Sequence, residues 1–231
     1  MSSKKRKKID AKLIISLSLL ALLILFAASA YLYNSYKKTE FSNKTQDEKA
    51  QIEALLVREH AYIAGNKDAK VTVVEFFDPA CSACVRISPV VARIPEKYLD
   101  QVRVVYRSLG YHKGSDMILS LLEAAKEQGK FKEAFAAFNL RFPRWFINNQ
   151  VNDFVAWGVL EQSGTDVKAA KEFLDSNQDK VNEILRQNME DAENLGITST
   201  PTFFVNGMQV EQKELIDTIE SEIAKIYKEK E

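Results

Sequence analysis

The chain has 231 residues, 46% hydrophobic and 28% charged, which suits one ordinary domain with accessories and a buried core. Its formal net charge of zero is unevenly spread, because residues 1–12 hold six basic side chains and one acid, leaving the remainder near −5. A mildly acidic body excludes the basic footprint of a nucleic-acid partner, and two lone cysteines three positions apart exclude a disulfide-stapled framework.

Residues 1–12 read as a basic cytoplasmic tail, with Lys4, Lys5, Arg6, Lys7, Lys8 and Lys12. The next stretch, 13–33, reads as a transmembrane anchor. Its residues 13–32 carry no charge, and Ser16, Ser18 and Ser29 are the polar members. Twenty helical residues span roughly 30 Å, the thickness of a bilayer core. The basic block before the run keeps the N-terminus inside, so the rest of the chain lies outside the cytoplasm. Tyr31, Tyr33 and Tyr36 suit the interface where the helix leaves the membrane. The rival reading is a cleaved signal peptide, since Ala28-Ser29-Ala30 has the small-x-small form of a cleavage site. The apolar run is longer than the roughly 7–15 residues of a signal core, which favours the uncleaved anchor.

Residues 34–63 read as a polar tether holding a helix over 45–58, whose weak apolar stripe includes Ala50, Ala54, Leu55 and Val57. At residues 71–77 the pattern changes to Val-Thr-Val-Val-Glu-Phe-Phe, a strand apolar on both faces and therefore central. Asp78-Pro79-Ala80 breaks it. A helix follows Cys81 to about Tyr98, with Pro89 and Pro95 marking kinks or ends. Residues 101–107 form a second strand, closed by a turn between Gly110 and Gly114.

From Ser115 to about Leu195 the periodicity is helical. Five helices are expected, the first ending near Gly129 and the last two covering 167–174 and 181–195. Strands return at the end: residues 201–205 and 208–210 flank Asn206-Gly207, a strong hairpin signal. An amphipathic helix over 211–228 closes the pattern with Leu215, Ile216, Ile219, Ile223 and Ile226.

The chemistry centres on Cys81-Ser82-Ala83-Cys84 at the junction of strand and helix. Residues three apart in a helical turn lie close enough to close a disulfide with little backbone movement. The first cysteine sits where unpaired N–H groups and the positive end of the helix dipole converge, which stabilises a thiolate. Cys81 is therefore the candidate nucleophile and Cys84 the resolving thiol. A zinc site needs about four ligands, and only His60 and His112 remain to supply them. Both histidines read as loop residues, and Arg144-Trp145-Phe146 reads as packing. No phosphate loop, hydrolase elbow or metal-binding histidine pair occurs, so no cofactor or metal is implied.

Two separated motifs carry a family resemblance: residues 73–84, Val-Val-Glu-Phe-Phe-Asp-Pro-Ala-Cys-Ser-Ala-Cys, and residues 199–207, Ser-Thr-Pro-Thr-Phe-Phe-Val-Asn-Gly. In this order they resemble the DsbA-like branch of the thioredoxin superfamily. That resemblance implies an α/β thioredoxin fold with an inserted helical domain, its first part over 64–114, the insertion over 115–177 and the second part over 178–231. It also implies a cis-proline at Pro201 beside the cysteines, against the plain alternative of a trans proline opening a strand. Thr200 would then offer its backbone to an extended substrate. Glu75, six residues before Cys81, matches the family's buried acid, and a carboxylate within an apolar strand is unusual in itself. Burial would raise its pKa and suit it to trade a proton with Cys84. The alternative is a glutamate facing a lysine at the sheet rim. Ser82 and Ala83 stand where strongly oxidising members carry Pro-His.

The function this implies is thiol–disulfide exchange on exported proteins, in the direction of disulfide formation, with a membrane redox partner recycling the pair. Two alternatives stand beside it: a reductase or isomerase of the same fold, and a non-catalytic chaperone-like module.

Overall fold

The computed structural model describes residues 11–42 and 44–227. The basic residues Lys4, Lys5, Arg6, Lys7 and Lys8 lie outside the described residues. The chain divides into two compact units, Met1–Gln46 and Asp47–Glu231.

The first unit holds helix α1, Ala11–Ser42. Within it the 21 residues of Leu17–Lys37 are long and apolar enough to cross a membrane by length and composition, with a mean hydropathy of 1.9 over an 18-residue stretch. Helical structure continues to Ser42, well into the stretch read from sequence as a tether.

The second unit is built on a five-stranded sheet. After helix α2, Gln46–Leu56, comes strand β1, Tyr62–Gly65, and then β2, Val71–Phe77. Helices α3, Ser82–Val91, and α4, Ile94–Tyr98, cross over to β3, Val102–Ser108. Pro89 is absorbed near the end of α3, and Pro95 sits in the first turn of α4, where its missing N–H costs no helical bond. The sequence showed one helix here, and the structure breaks it between Val91 and Ile94.

The helical block that follows comprises α5, Ser115–Glu127, α6, Phe131–Leu140, and α7, Phe142–Trp145. A small hairpin of β4, Phe146–Ile147, and β5, Gln150–Val151, precedes α8, Asp153–Gln162. Helix α9, Val167–Asn194, consists of two helical segments meeting at a kink at Asn177 (φ −130°, ψ 16°), in keeping with the two helices expected over 167–174 and 181–195. Strands β6, Thr202–Val205, and β7, Met208–Val210, form the hairpin anticipated at Asn206-Gly207, and α10, Leu215–Tyr227, completes the unit.

The strand order is β1-β3-β2-β6-β7. β2 is parallel to β3 and antiparallel to β6, so it lies at the centre with both faces covered. That is why its β-branched and aromatic residues run without polar alternation. Val71, Val73 and Phe77 enter one core with α3, α5, α6 and α10, while Val74 and Phe76 enter a second with Leu56, Ala192 and Ile197.

Arg107 on β3 closes the second face. Its side chain is fully buried, donating from Nη2 to Asp191 Oδ2 at 2.6 Å and from Nε to Asn188 Oδ1 at 3.0 Å. Arg58 grips the other oxygen of Asp191 at 2.6 Å, and Arg107 also reaches the carbonyls of Leu55 and Leu56. The end of α2 is thus tied to β3 and α9 by charge-assisted bonds.

Candidate active site

The two cysteines lie at the carboxyl end of the central strand. Cys81 is the N-cap of α3, with extended φ and ψ of −85° and 114°, and Cys84 is one turn inside. Both are buried free thiols. The sequence folds this way because Asp78-Pro79-Ala80 ends the strand: Asp78 O accepts from Cys81 N–H at 3.0 Å, closing the turn into the helix.

Thr200 meets Cys81 from across the sheet. The Thr200–Pro201 peptide is cis, and the Thr200 carbonyl oxygen accepts from Cys81 Sγ at 3.3 Å. β6, which starts one residue after Pro201, pairs with β2 at Phe76↔Thr202 and Glu75↔Phe203, so the sheet itself brings the two motifs together.

The electrostatics separate the two thiols. Cys81 is lowered to about 5, chiefly by the hydrogen bond from the Cys84 thiol, with the Thr200 side chain and the amides of Cys84 and Ala83 adding to it against the opposing effect of burial. Each of these donors favours the thiolate. Cys84 is pushed strongly upward, first by that same bond to Cys81 and then by burial. One sulfur of the pair thus holds the negative charge and the other keeps its proton.

Glu75 lies on the same sheet face as Val73 and Phe77. It is fully buried, and neither carboxylate oxygen has a hydrogen-bond partner among the described residues. Burial, with the charge of Cys81 as a second cause, pushes it up to about 8. A glutamate paired with a lysine at the sheet rim is therefore not what stands here. Its charge is felt by Cys84 in turn, so the acid and the resolving thiol are electrostatic neighbours.

Ser82 is exposed and lies 3.4 Å from Arg86 Nη1, while Ala83 contributes its backbone amide. Three groups near the pair were not singled out from the sequence for a role there. Asp78 is fully buried and bonded to Ser115 and His112. His112, read as a loop residue, has its imidazole Nδ1 2.9 Å from Asp78 Oδ2. The available signal was an acid closing an apolar strand just before the cysteines. His60, also read as a loop residue, is half-buried against Asn188 at 2.8 Å, and Trp145 is fully buried, as packing requires. A cavity of about 630 Å³ opens between β1, α4 and α6, lined in part by Tyr62, Ser88, Phe131 and Phe135, and neither cysteine borders it.

The family model described as thioredoxin matches residues 58–225. A Rickettsia bellii protein carrying the name protein-disulfide oxidoreductase is 27% identical over 177 residues, covering 75% of this chain and 67% of that protein. The chain thus spans about two thirds of the length of this curated relative. A thioredoxin-like oxidoreductase from Silicibacter pomeroyi superposes with a TM-score of 0.62 at 27% identity, covering 74% of this chain and 96% of the other. The α-DsbA1 protein of Wolbachia pipientis superposes with a TM-score of 0.67 at 19% identity, covering 78% and 99%, a likeness of fold.

Proposed function

This chain belongs to the thioredoxin family and is a thiol–disulfide oxidoreductase of the DsbA-like type; from that premise we propose that it forms disulfides in exported proteins through Cys81 and Cys84. The observation that carries the direction is the depressed Cys81 thiol, held near 5 by converging donors.

In the oxidised enzyme a substrate thiolate attacks Cys81 Sγ. The Cys81–Cys84 bond breaks and Cys84 leaves with the electron pair. Because its environment holds Cys84 as a thiol, the departing sulfur takes up a proton, and Glu75, its electrostatic neighbour and protonated at neutral pH, is the acid to which this reading assigns that proton. A second substrate thiolate then attacks the substrate sulfur of the mixed disulfide. Cys81 departs as a stabilised thiolate, and two electrons have passed from the substrate to the pair. A stabilised leaving thiolate is what makes such a pair oxidising, because it lowers the free energy of the reduced form.

Thr200 is the backbone against which an extended substrate would lie, next to the sulfur under attack, with Pro201 fixing that loop. Ser82 and Ala83 bring no charge of their own, so the thiolate leans on hydrogen bonds instead. The apolar run of α1 and the basic residues before it support a membrane-anchored enzyme working outside the cytoplasm. A membrane redox partner would then reoxidise the pair.

The test is the reduction potential of the pair in the full chain, held in detergent and equilibrated against glutathione. A value near about −120 mV supports disulfide formation, and one near about −270 mV assigns the chain to reduction instead.

A further inference from the structure

The exchange just described makes no use of the Asp78 carboxylate, yet this group is among the most fully engaged in the molecule. It is fully buried in the turn between β2 and α3. Oδ1 accepts from the Ala80 amide at 2.8 Å and from the Ser115 hydroxyl at 2.5 Å. Oδ2 accepts from the His112 amide at 2.8 Å and lies 2.9 Å from His112 Nδ1. Four partners surround the two oxygens, and the imidazole completes the set in the tautomer that donates from Nδ1.

The main chain of the same residue holds the first cysteine and influences the second. Its carbonyl accepts from Cys81 N–H at 3.0 Å, and its backbone acts to lower the Cys84 thiol against the stronger causes that raise it. One residue therefore joins the redox loop to the loop before α5, where the helical block begins.

We propose that Asp78 is a positioning residue for exchange at the cysteine pair, clamped by Ser115 and His112 so that the Pro79-Ala80 turn presents Cys81 to its donors. This rests on Cys81 being the nucleophile. Freeing the carboxylate loosens the turn and weakens the bonds from Cys84 and from the Ala83 amide. Loss of a buried negative charge would act in the opposite sense. The largest influences on Cys81 are the Cys84 thiol, burial, Thr200 and the two amides, so contacts of the loop outweigh the more distant Asp78 charge. Geometry decides the sign.

The experiment uses the full chain in detergent with Asp78→Asn and Ser115→Ala. Three quantities are read: Cys81 ionisation by thiolate ultraviolet absorbance, the equilibrium constant with glutathione, and the thermal midpoint. Asp78→Asn should raise the Cys81 pKa by about one unit and move the equilibrium about tenfold toward the protein disulfide, equivalent to about 30 mV. Ser115→Ala, which removes one donor of four, should move both in the same direction by less. It carries the test alone if Asp78→Asn does not fold. Variants that lose only thermal stability, with Cys81 ionisation and equilibrium as in the parent, would overturn the proposal. A parent chain whose Cys81 titrates near the ordinary thiol value of about 8.5 would overturn the reading of the site itself, and this proposal with it.

Discussion

Glu75 stands level with Tyr106 in the parallel register of β2 and β3, a carboxyl beside a phenol in a fully buried layer. Glu75 makes ionisation of its neighbour harder: Tyr106 is pushed up by burial first and by Glu75 second. An unpartnered buried carboxyl is costly when charged, so this pair stays protonated at neutral pH.

A pH dependence of stability follows. Glu75 is raised from 4.5 to about 8 in the folded chain. Between those values the unfolded chain has released a proton that the folded chain retains, so stability falls as pH rises through the window. By pH 7 the loss is about 3 kcal/mol. Urea titrations of the oxidised protein, in which burial alone raises Glu75, should show the decline at reduced size, and Glu75→Gln should flatten it. An unchanged slope in Glu75→Gln would assign the effect to another group.

Cys81 works with the opposite sign. Its folded value is depressed to about 5 from 9.0, so its contribution is full above 9, shrinks as pH falls, and is gone below about 5. The disulfide form has no thiol to contribute. The reduced protein should therefore be the more stable form at pH 7, with the gap narrowing as pH drops toward 5. Paired melting curves of the two forms measure it, and a gap insensitive to pH would contradict a depressed Cys81.

Removing the resolving thiol separates attack from release. Cys84→Ser leaves Cys81 able to join a substrate sulfur but unable to close the pair, so mixed disulfides should accumulate on non-reducing gels. Cys81→Ser should give none and should abolish exchange. Full turnover in Cys81→Ser would end the mechanism.

The buried ion pair on the far face predicts a purely structural effect. Asp191→Ala strands Arg107, whose side chain is fully buried, and also releases Arg58. Leaving one partner of such a pair uncompensated costs about 3–5 kcal/mol. Chemical denaturation should show a loss of that size, while the equilibrium with glutathione stays at the parent value. A shifted equilibrium would mean that this network reaches the cysteines.

What could be read from the chain alone was short in range. β2 announced itself as a β-branched run, the cysteine pair by its spacing, and the β6–β7 hairpin by Asn206-Gly207. β1 escaped because Tyr-Ile-Ala-Gly is only four residues long and no residue in it is fully buried. The β4–β5 hairpin has two residues per strand. Its signal was Asn148-Asn149, both at positive φ in the structure, where asparagine is among the few tolerated residues. The two segments of α9 were legible because polar residues fill the region of the kink at Asn177. The burial of Glu75 was legible from its apolar strand, but its lack of any partner was not. The clamp on Asp78 joins residues 34 and 37 positions apart, a relation that no periodicity records.

The same distance along the chain has a consequence in time. Thr200 follows Cys81 by 119 residues, and it arrives just ahead of β6, the last strand to pair with β2. While the polypeptide is being made, β2 and α3 exist long before β6, and Cys81 then has only the donors of its own helix. The sulfur gains the last of its donors only after the helices around it have been synthesised.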